Sequence, residues 1–140
     1  MKGILFMCVA NSARSQIAEG VARSMAPPDI KVWSAGSRPT SVRPEAIAVL
    51  KEIGIDISHH RSKTVDEIPA VEVDTVITLC GEEECPVFLG EVTRLHWGLP
   101  DPAAFEGSGE GRLNAFRNLR DELRRRIEAL LTGKDEGDRK

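Results

Sequence analysis

The chain has 140 residues, of which 41% are apolar and 29% are charged, and its formal net charge is −3. Length and composition of this kind indicate one soluble globular domain that is large enough to bury a substantial core. The acidic balance disfavours binding to nucleic acid or to an anionic membrane, and no segment approaches the ~20 apolar residues of a membrane span.

The predicted domain covers residues 1–132, and residues 133–140 are expected to form a flexible tail. The apolar run after Gly3 is too short for the central region of a signal peptide, which predicts a cytoplasmic protein. In that reducing compartment we do not expect the three cysteines to form structural disulfides, so each is a candidate for a catalytic or redox role.

Strands and helices alternate along the chain in the hydrophobic pattern. The predicted elements are strand 2–8, helix 12–25, strand 30–34, helix 44–54, a helical turn at 65–68, strand 74–79, strand 92–97 and helix 112–131. Pro44 suits the first turn of its helix, and Gly54 suits the end of the same helix. We interpret the charged positions of the last helix, mostly arginine, as a solvated face.

This order of elements predicts an α/β fold in which a four-stranded parallel sheet carries helices on both faces. The alternating pattern of strand 30–34 indicates an edge position. Ligands of such folds lie beyond the carboxyl ends of the strands. Cys8 ends the first strand, Cys80 ends the third, and Asp101 follows the fourth, so we expect these three residues at one rim of the sheet.

The first strand leads through a loop of small and polar residues to Arg14 and Ser15, where a helix is predicted to begin. Loop amides and the helix N-terminus favour a bound anion, and the Arg14 guanidinium can hold two of its oxygens. The same surroundings favour a Cys8 thiolate, to which the Ser15 hydroxyl can donate. The alternative is that Cys8 is a small apolar residue in the core. We predict a cysteine nucleophile beneath a tetrahedral oxyanion.

Cys80 and Cys85 flank the acidic segment 81–84. Five positions along a helix turn two side chains about 140° apart, so a disulfide between them requires a loop or a helix that unwinds. The pair therefore predicts a redox relay. The alternatives are two incidental thiols or half of a zinc site, for which only histidines remain as further ligands. We predict no metal site.

Asp101 lies between two prolines after the fourth strand. Its carboxyl group can protonate an oxygen that leaves a centre bound to Cys8. Aspartate is also common in turns for conformational reasons alone. The spacing of the residues leaves both interpretations open.

The segment 8–20 resembles the anion loop and first helix of the thioredoxin-coupled arsenate reductases, which share the fold of low-molecular-weight protein tyrosine phosphatases. Further motifs resemble the family in the same order, so the resemblance extends over about residues 2 to 131. They are Ser34-Ala35-Gly36, Asp56-Ile57-Ser58, Thr78-Leu79-Cys80, His96-Trp97-Gly98 and Asp101-Pro102-Ala103. The two downstream cysteines favour the reductases, because the phosphatases need only the nucleophile of the loop.

The resemblance implies a three-layer sandwich and a cycle that uses three sulfurs. Arsenate binds in the loop, Cys8 attacks arsenic with Asp101 as the acid, and Cys80 attacks Cys8 and releases arsenite. Cys85 then attacks Cys80, and thioredoxin reduces the Cys80–Cys85 disulfide. The implied substrate-binding residues are Val9, Ala10, Asn11, Ser12, Ala13 and Arg14. Phosphate and sulfate are implied as competing oxyanions, no cofactor is implied, and we expect a monomer.

Two positions depart from the members of this family that bind potassium. Those members carry threonine and aspartate where this chain has Arg61 and Lys63, although Asn11, Glu19 and Ser34 match the ion site. The ammonium group of Lys63 can occupy the position of the ion. We therefore predict that the protein does not require potassium.

Two other functions remain open. In a phosphatase-like hydrolase, Cys8 would form a phosphocysteine, and Cys80 and Cys85 would only protect it from over-oxidation. Ala103 stands where phosphatases of this fold carry an aromatic residue, which disfavours a phosphotyrosine substrate. The other function is a non-catalytic sensor of anions or redox state, a role that does not need a nucleophile.

Overall fold

The computed structural model describes residues 1–81, 88, 90–105, 107 and 109–133. The strands and α-helices are β1 (Gly3–Cys8), α1 (Arg14–Met25), β2 (Lys31–Gly36), α2 (Pro44–Lys51), β3 (Thr75–Thr78), β4 (Thr93–His96) and α3 (Glu110–Leu131). Three short 3-10 helices cover Val65–Glu67, Ala70–Glu72 and Pro102–Ala104. Within the described part of the chain, no helix is long and apolar enough to cross a membrane.

The four strands form one sheet in the order β2-β1-β3-β4, and every neighbouring pair is parallel. β2 lies at an edge, as its alternating pattern predicts. The register pairs Cys8 with Gly36 and Thr78 with His96. Because all strands run in the same direction, the ends of β1, β3 and β4 meet at one rim of the sheet.

Side chains of the central strand β1 alternate between two apolar clusters, since successive residues of a strand point to opposite faces. On one face, Ile4 and Phe6 belong to the cluster that contains the buried residues of α1, α2 and α3. On the other face, Leu5 and Met7 pack with residues that include Ile68, beside the first two 3-10 helices. The predicted fold class, a parallel sheet between layers of helix, is confirmed.

The element boundaries differ from the prediction by a few residues. α2 ends at Lys51, three positions early, and a turn continues to Gly54, which has a φ of +82° in the left-handed region that favours glycine. α3 begins at Glu110, two positions early. The 3-10 helices Ala70–Glu72 and Pro102–Ala104 were not predicted, because segments of three residues contain too little periodicity.

The interpretation of the α3 arginines as a solvated face is wrong for two of them. Arg120 is only 9% exposed and donates from Nη1 to the carbonyl oxygen of Val49 and to Glu52 Oε1, each at 2.8 Å. Arg112 donates to Glu45 Oε2 at 2.6 Å. Their long side chains reach back to α2 and join the two helices, a contact that the spacing within one helix cannot reveal.

The predicted boundary at residue 132 stays a prediction. Of the predicted tail, Gly133 is described, and residues 134–140 lie outside the described residues.

Candidate active site

The loop 9–13, in which an anion site is predicted, joins the end of β1 to the start of α1. Three of its carbonyl groups accept hydrogen bonds from the segment 38–43. These bonds are Arg38 N to Val9 O at 2.9 Å, Thr40 N to Ala10 O at 3.1 Å, and Arg43 N to Ser12 O at 2.9 Å. Carbonyl groups that are held outward leave the amides to face the inside of the loop, an arrangement that binds anions.

Two backbone features fix the shape of this loop. A β-carbon at Gly36 would lie 2.4 Å from the carbonyl oxygen of Val9, so only glycine lets β2 end so close to the loop. Asn11 has a φ of +49°, in the left-handed region that asparagine tolerates better than most residues. Its backbone oxygen accepts a hydrogen bond from Ser62 Oγ at 2.7 Å.

A buried chain of hydrogen bonds leads to the candidate nucleophile. Cys8, 1% exposed, has its sulfur 2.9 Å from Ser15 Oγ. Asn11 Nδ2 donates to that same Oγ at 2.7 Å. Because the Ser15 oxygen accepts from Asn11, its own hydrogen is free to point at the sulfur. The Ser15 hydroxyl is therefore placed to donate a hydrogen bond to the Cys8 sulfur.

These hydrogen bonds continue outward through Gln16 and His60, two residues that the sequence analysis did not identify. Gln16 Nε2 donates to Asn11 Oδ1 and to the Arg61 carbonyl oxygen, each at 3.0 Å. Gln16 Oε1, an acceptor, lies 2.9 Å from His60 Nδ1, so the imidazole donates from that nitrogen. Burial lowers the pKa of His60, which favours the neutral ring. One feature of the sequence indicated this role, namely the position of Gln16 in the first helical turn after the loop.

Arg14 and Asp101 lie beside each other at the rim of the sheet. Arg14 is 4% exposed and donates from Nη1 to the carbonyl oxygen of Leu99 at 3.1 Å. Its Nη2 lies 3.9 Å from Asp101 Oδ2. The other carboxylate oxygen, Oδ1, accepts from Ala103 N at 2.9 Å and caps the 3-10 helix Pro102–Ala104. Both interpretations of Asp101 are therefore compatible with its geometry, since one oxygen shapes the turn and the other faces Arg14.

Cys80 lies two positions after the end of β3 and is fully buried. Leu79 N donates to the Met7 carbonyl oxygen at 2.9 Å, which holds this exit beside the end of β1, and Cys8 and Cys80 belong to the same apolar cluster. Cys8 is a free thiol, whereas Cys80 is disulfide-bonded. Cys85 lies outside the described residues. The structure thus brings Cys8, Cys80 and Asp101 to one rim.

A lysine ammonium lies among oxygen atoms behind the loop. Lys63 Nζ is 3.4 Å from Ser34 Oγ and from the Arg61 carbonyl oxygen, and 3.5 Å from Glu19 Oε1. Burial lowers the pKa of Lys63, and the adjacent Glu19 carboxylate opposes that effect. In the described ranges, no group of three or more His, Cys, Asp or Glu side chains is arranged to hold a metal ion.

Comparisons with known proteins agree on one group. The family model described as low molecular weight phosphotyrosine protein phosphatase matches residues 3–138. An arsenate reductase of Halalkalibacterium halodurans is 43% identical over 136 residues, which cover 95% of this chain and 98% of that protein. An arsenate reductase of Bacillus subtilis is 40% identical with the same coverage of both chains.

Solved structures give the same result. An arsenate reductase in its phosphate binding state superposes with a TM-score of 0.77 at 37% identity, covering 96% of this chain and 100% of that one. A thioredoxin-dependent arsenate reductase of Corynebacterium glutamicum superposes with a TM-score of 0.73 at 29% identity, covering 96% of this chain and 62% of that longer one.

Proposed function

This chain belongs to the low molecular weight phosphotyrosine protein phosphatase family and, within it, to the arsenate reductases, and from this premise we propose that it reduces arsenate to arsenite by a thiol relay. The proposal rests on the sulfur atoms of Cys8 and Cys80, which lie at the same rim of the sheet. A free Cys8 lies at the base of the loop that we propose binds the anion, and a second buried sulfur, that of Cys80, lies two positions after the end of the neighbouring strand β3.

The first step uses the loop and three side chains. Arsenate oxygens accept from the loop amides and from the Arg14 guanidinium, which balance the charge of the oxyanion. The Cys8 thiolate, held by the Ser15 hydroxyl, attacks arsenic. Asp101 Oδ2, which faces Arg14, gives its proton to the oxygen that leaves. Phosphate and sulfate have the same tetrahedral shape and compete for the loop.

The second step transfers two electrons. Cys80 attacks the Cys8 sulfur, the pair of the sulfur–arsenic bond passes to arsenic, and arsenite leaves while a Cys8–Cys80 disulfide forms. Both sulfurs are buried, so a protein reductant cannot reach this bond. Cys85 then attacks Cys80 and frees Cys8. A free Cys8 beside a disulfide-bonded Cys80 is the distribution expected after the disulfide has left Cys8.

We propose thioredoxin as the reductant of the last disulfide, and a monomer in the cytoplasm as the working form. The thioredoxin-dependent relative supports the choice of reductant. A reducing compartment is required to keep the three thiols available for the next cycle. This scheme uses the three cysteines of the chain and no cofactor.

A second activity, hydrolysis of phosphate esters, uses the same first step. Cys8, Arg14 and Asp101 suffice for attack on phosphorus and for protonation of the leaving group, and no second sulfur is needed. The small Ala103 next to the acid offers little contact area to an aryl group. We therefore expect slow hydrolysis of aryl phosphates.

One comparison of two assays tests the function. Arsenate-dependent NADPH oxidation is measured with thioredoxin and its reductase, and aryl phosphate hydrolysis is measured on the same samples. We expect Cys80→Ser and Cys85→Ser each to stop multiple turnover of arsenate and to retain ester hydrolysis, while Cys8→Ser abolishes both. Full arsenate turnover in both relay variants would overturn the relay.

A further inference from the structure

Arg112, in the first turn of α3, contacts the short helix that begins at Asp101. Its Nη1 donates to the carbonyl oxygen of Ala103 at 3.1 Å and to that of Phe105 at 3.2 Å. Asp101 and Phe105 cap the two ends of this 3-10 helix, Pro102–Ala104. One guanidinium nitrogen thus joins α3 to the backbone of the turn that carries the proposed acid.

Hydrogen bonds within the turn link this contact to the Asp101 carboxylate. Ala103 N donates to Asp101 Oδ1 at 2.9 Å, and Ala104 N donates to the Asp101 carbonyl oxygen at 3.1 Å. Ala103 is therefore held by Asp101 through its amide and by Arg112 through its carbonyl group. A shift of Ala103 relative to α3 would also move Asp101 Oδ2, which lies 3.9 Å from Arg14 Nη2.

Apolar packing holds the first part of this turn better than its end. Pro102 is buried and Ala103 packs against the main apolar cluster, whereas Ala104 is exposed and Phe105 is 42% exposed. An open groove of about 800 Å³, lined by both elements, lies between this segment and α3. Because side chains do not fill the groove, the polar contacts of Arg112 fix the end of the turn.

Arg112 is itself held by two further contacts. Its Nε donates to Glu45 Oε2 at 2.6 Å, and its guanidinium carbon lies 5.8 Å from the ring centre of Phe116, which is fully buried. The hydrogen bond from Arg112 lowers the pKa of Glu45, so both members of the pair are charged at neutral pH. The direction of the guanidinium is therefore set by a carboxylate and an aromatic ring.

Glu45 lies in the first turn of α2, close to the contact between that helix and the loop 9–13. Arg43, which caps α2, donates from its backbone N to the Ser12 carbonyl oxygen at 2.9 Å. The start of α2 thus contacts the loop of the proposed nucleophile through Arg43. Through Glu45 and Arg112 it also holds the turn of the proposed acid.

We propose that Arg112, braced by Glu45, is the positioning residue of Asp101 and keeps its carboxyl group within reach of the leaving oxygen. In the first step Asp101 gives its proton to that oxygen, and the transfer requires hydrogen-bond reach, about 2.6–3.2 Å. A misplacement of about 1 Å can lower a rate about 100-fold. The inference rests on the proposed function and adds to it the pair of residues that sets the position of the acid.

Two phosphate esters with different leaving groups test the assignment. Phenyl phosphate releases a basic phenolate that needs the proton of Asp101, whereas 2,4-dinitrophenyl phosphate releases a weakly basic one that can leave without it. We measure kcat/KM, which includes the attack by Cys8. Arg112→Gln should lower it about tenfold or more for phenyl phosphate and less than about twofold for the dinitrophenyl ester. Glu45→Ala, which keeps Arg112, should show the same preference to a smaller degree.

A matched variant and three contrary outcomes complete the experiment. Arg117→Gln removes another guanidinium that joins α3 to α2, through Glu52, and should leave both values within about twofold of wild type. An equal loss for both esters in Arg112→Gln would indicate a structural role and overturn the assignment, as would unchanged values for both. If the wild-type enzyme hydrolyses neither ester, the proposed attack by Cys8 with Asp101 as the acid fails, and the assignment fails with it.

Discussion

Ser15 Oγ lies 2.9 Å from Cys8 Sγ and accepts a hydrogen bond from Asn11, so its hydrogen is directed at the sulfur. Ser15→Ala removes this donor from the thiolate. A hydrogen bond to a charged group contributes about 1.5–3 kcal/mol, so we expect alkylation of Cys8 by iodoacetamide at neutral pH to slow by about tenfold or more. Ser24→Ala, on the exposed side of the same helix, is the matched control. Unchanged alkylation in Ser15→Ala would show that the hydroxyl does not stabilise the thiolate.

The substitution Asp101→Asn separates the two contacts of this side chain. Asn keeps an oxygen that can accept from Ala103 N, and asparagine caps helices about as well as aspartate, so stability should change by less than about 0.5 kcal/mol. The amide cannot give a proton, so ester hydrolysis at Cys8 should fall by about 100-fold. Asp101→Ala loses both contacts. If Asp101→Asn hydrolyses esters at the wild-type rate, the carboxyl group is only a cap.

Lys63 places a positive charge among the oxygens of Glu19, Ser34 and Arg61. Lys63→Ala removes the ammonium group from these oxygens, while Arg23 Nη2 stays 3.0 Å from the other oxygen of Glu19, Oε2. We expect potassium to bind in place of the ammonium group and to raise the melting temperature of the variant. The wild-type protein should not respond. Thermal unfolding in potassium chloride and in choline chloride at equal ionic strength measures the difference, with Lys51→Ala as the control. A variant that ignores potassium would contradict the role of Lys63 as a substitute cation.

Glu52 joins α2 to α3. Hydrogen bonds from Arg117 and then Arg120 lower its pKa from 4.5 to about 2. Because the folded-state pKa lies below the unfolded value, the stabilisation is fully present above about pH 4.5 and is lost as the pH falls towards 2. Glu52→Gln should therefore lower the urea midpoint near pH 7 and have little effect near pH 2. Glu128→Gln, an exposed site on α3, should do neither, and a pH-independent effect of Glu52→Gln would rule out the ion pair as its cause.

The sequence pattern was sufficient for the sheet, its edge strand, and the placement of Cys8, Cys80 and Asp101 at one rim. These features follow from local periodicity and from the rule that parallel strands end together. The partners of Gln16 and Arg120 were not predictable in the same way. Gln16 bonds to His60, 44 positions away, and Arg120 bonds to Val49, 71 positions away. Such contacts depend on how the helices and loops pack, which no local pattern records.

The capping role of Asp101 shows a different limit. Sequence spacing supported an acid and a turn residue equally, because each needs only a carboxylate before a proline. In the structure one carboxylate oxygen accepts from Ala103 N and the other lies 3.9 Å from Arg14 Nη2, so the turn contact does not occupy the oxygen that we propose as the acid. The spacing of residues does not show whether the two roles of Asp101 exclude each other. The positions of its two carboxylate oxygens show that they are compatible.

The relay itself is tested most directly by trapping its first disulfide. Reduced Cys85→Ser is freed of reductant and treated with arsenate, arsenite is quantified, and disulfide-linked peptides are identified by mass spectrometry. We predict about one arsenite per protein and a peptide pair that links Cys8 to Cys80, since the third sulfur is missing and the disulfide cannot move to Cys85. Release of arsenite with Cys80 still a free thiol, or no release at all, would contradict it.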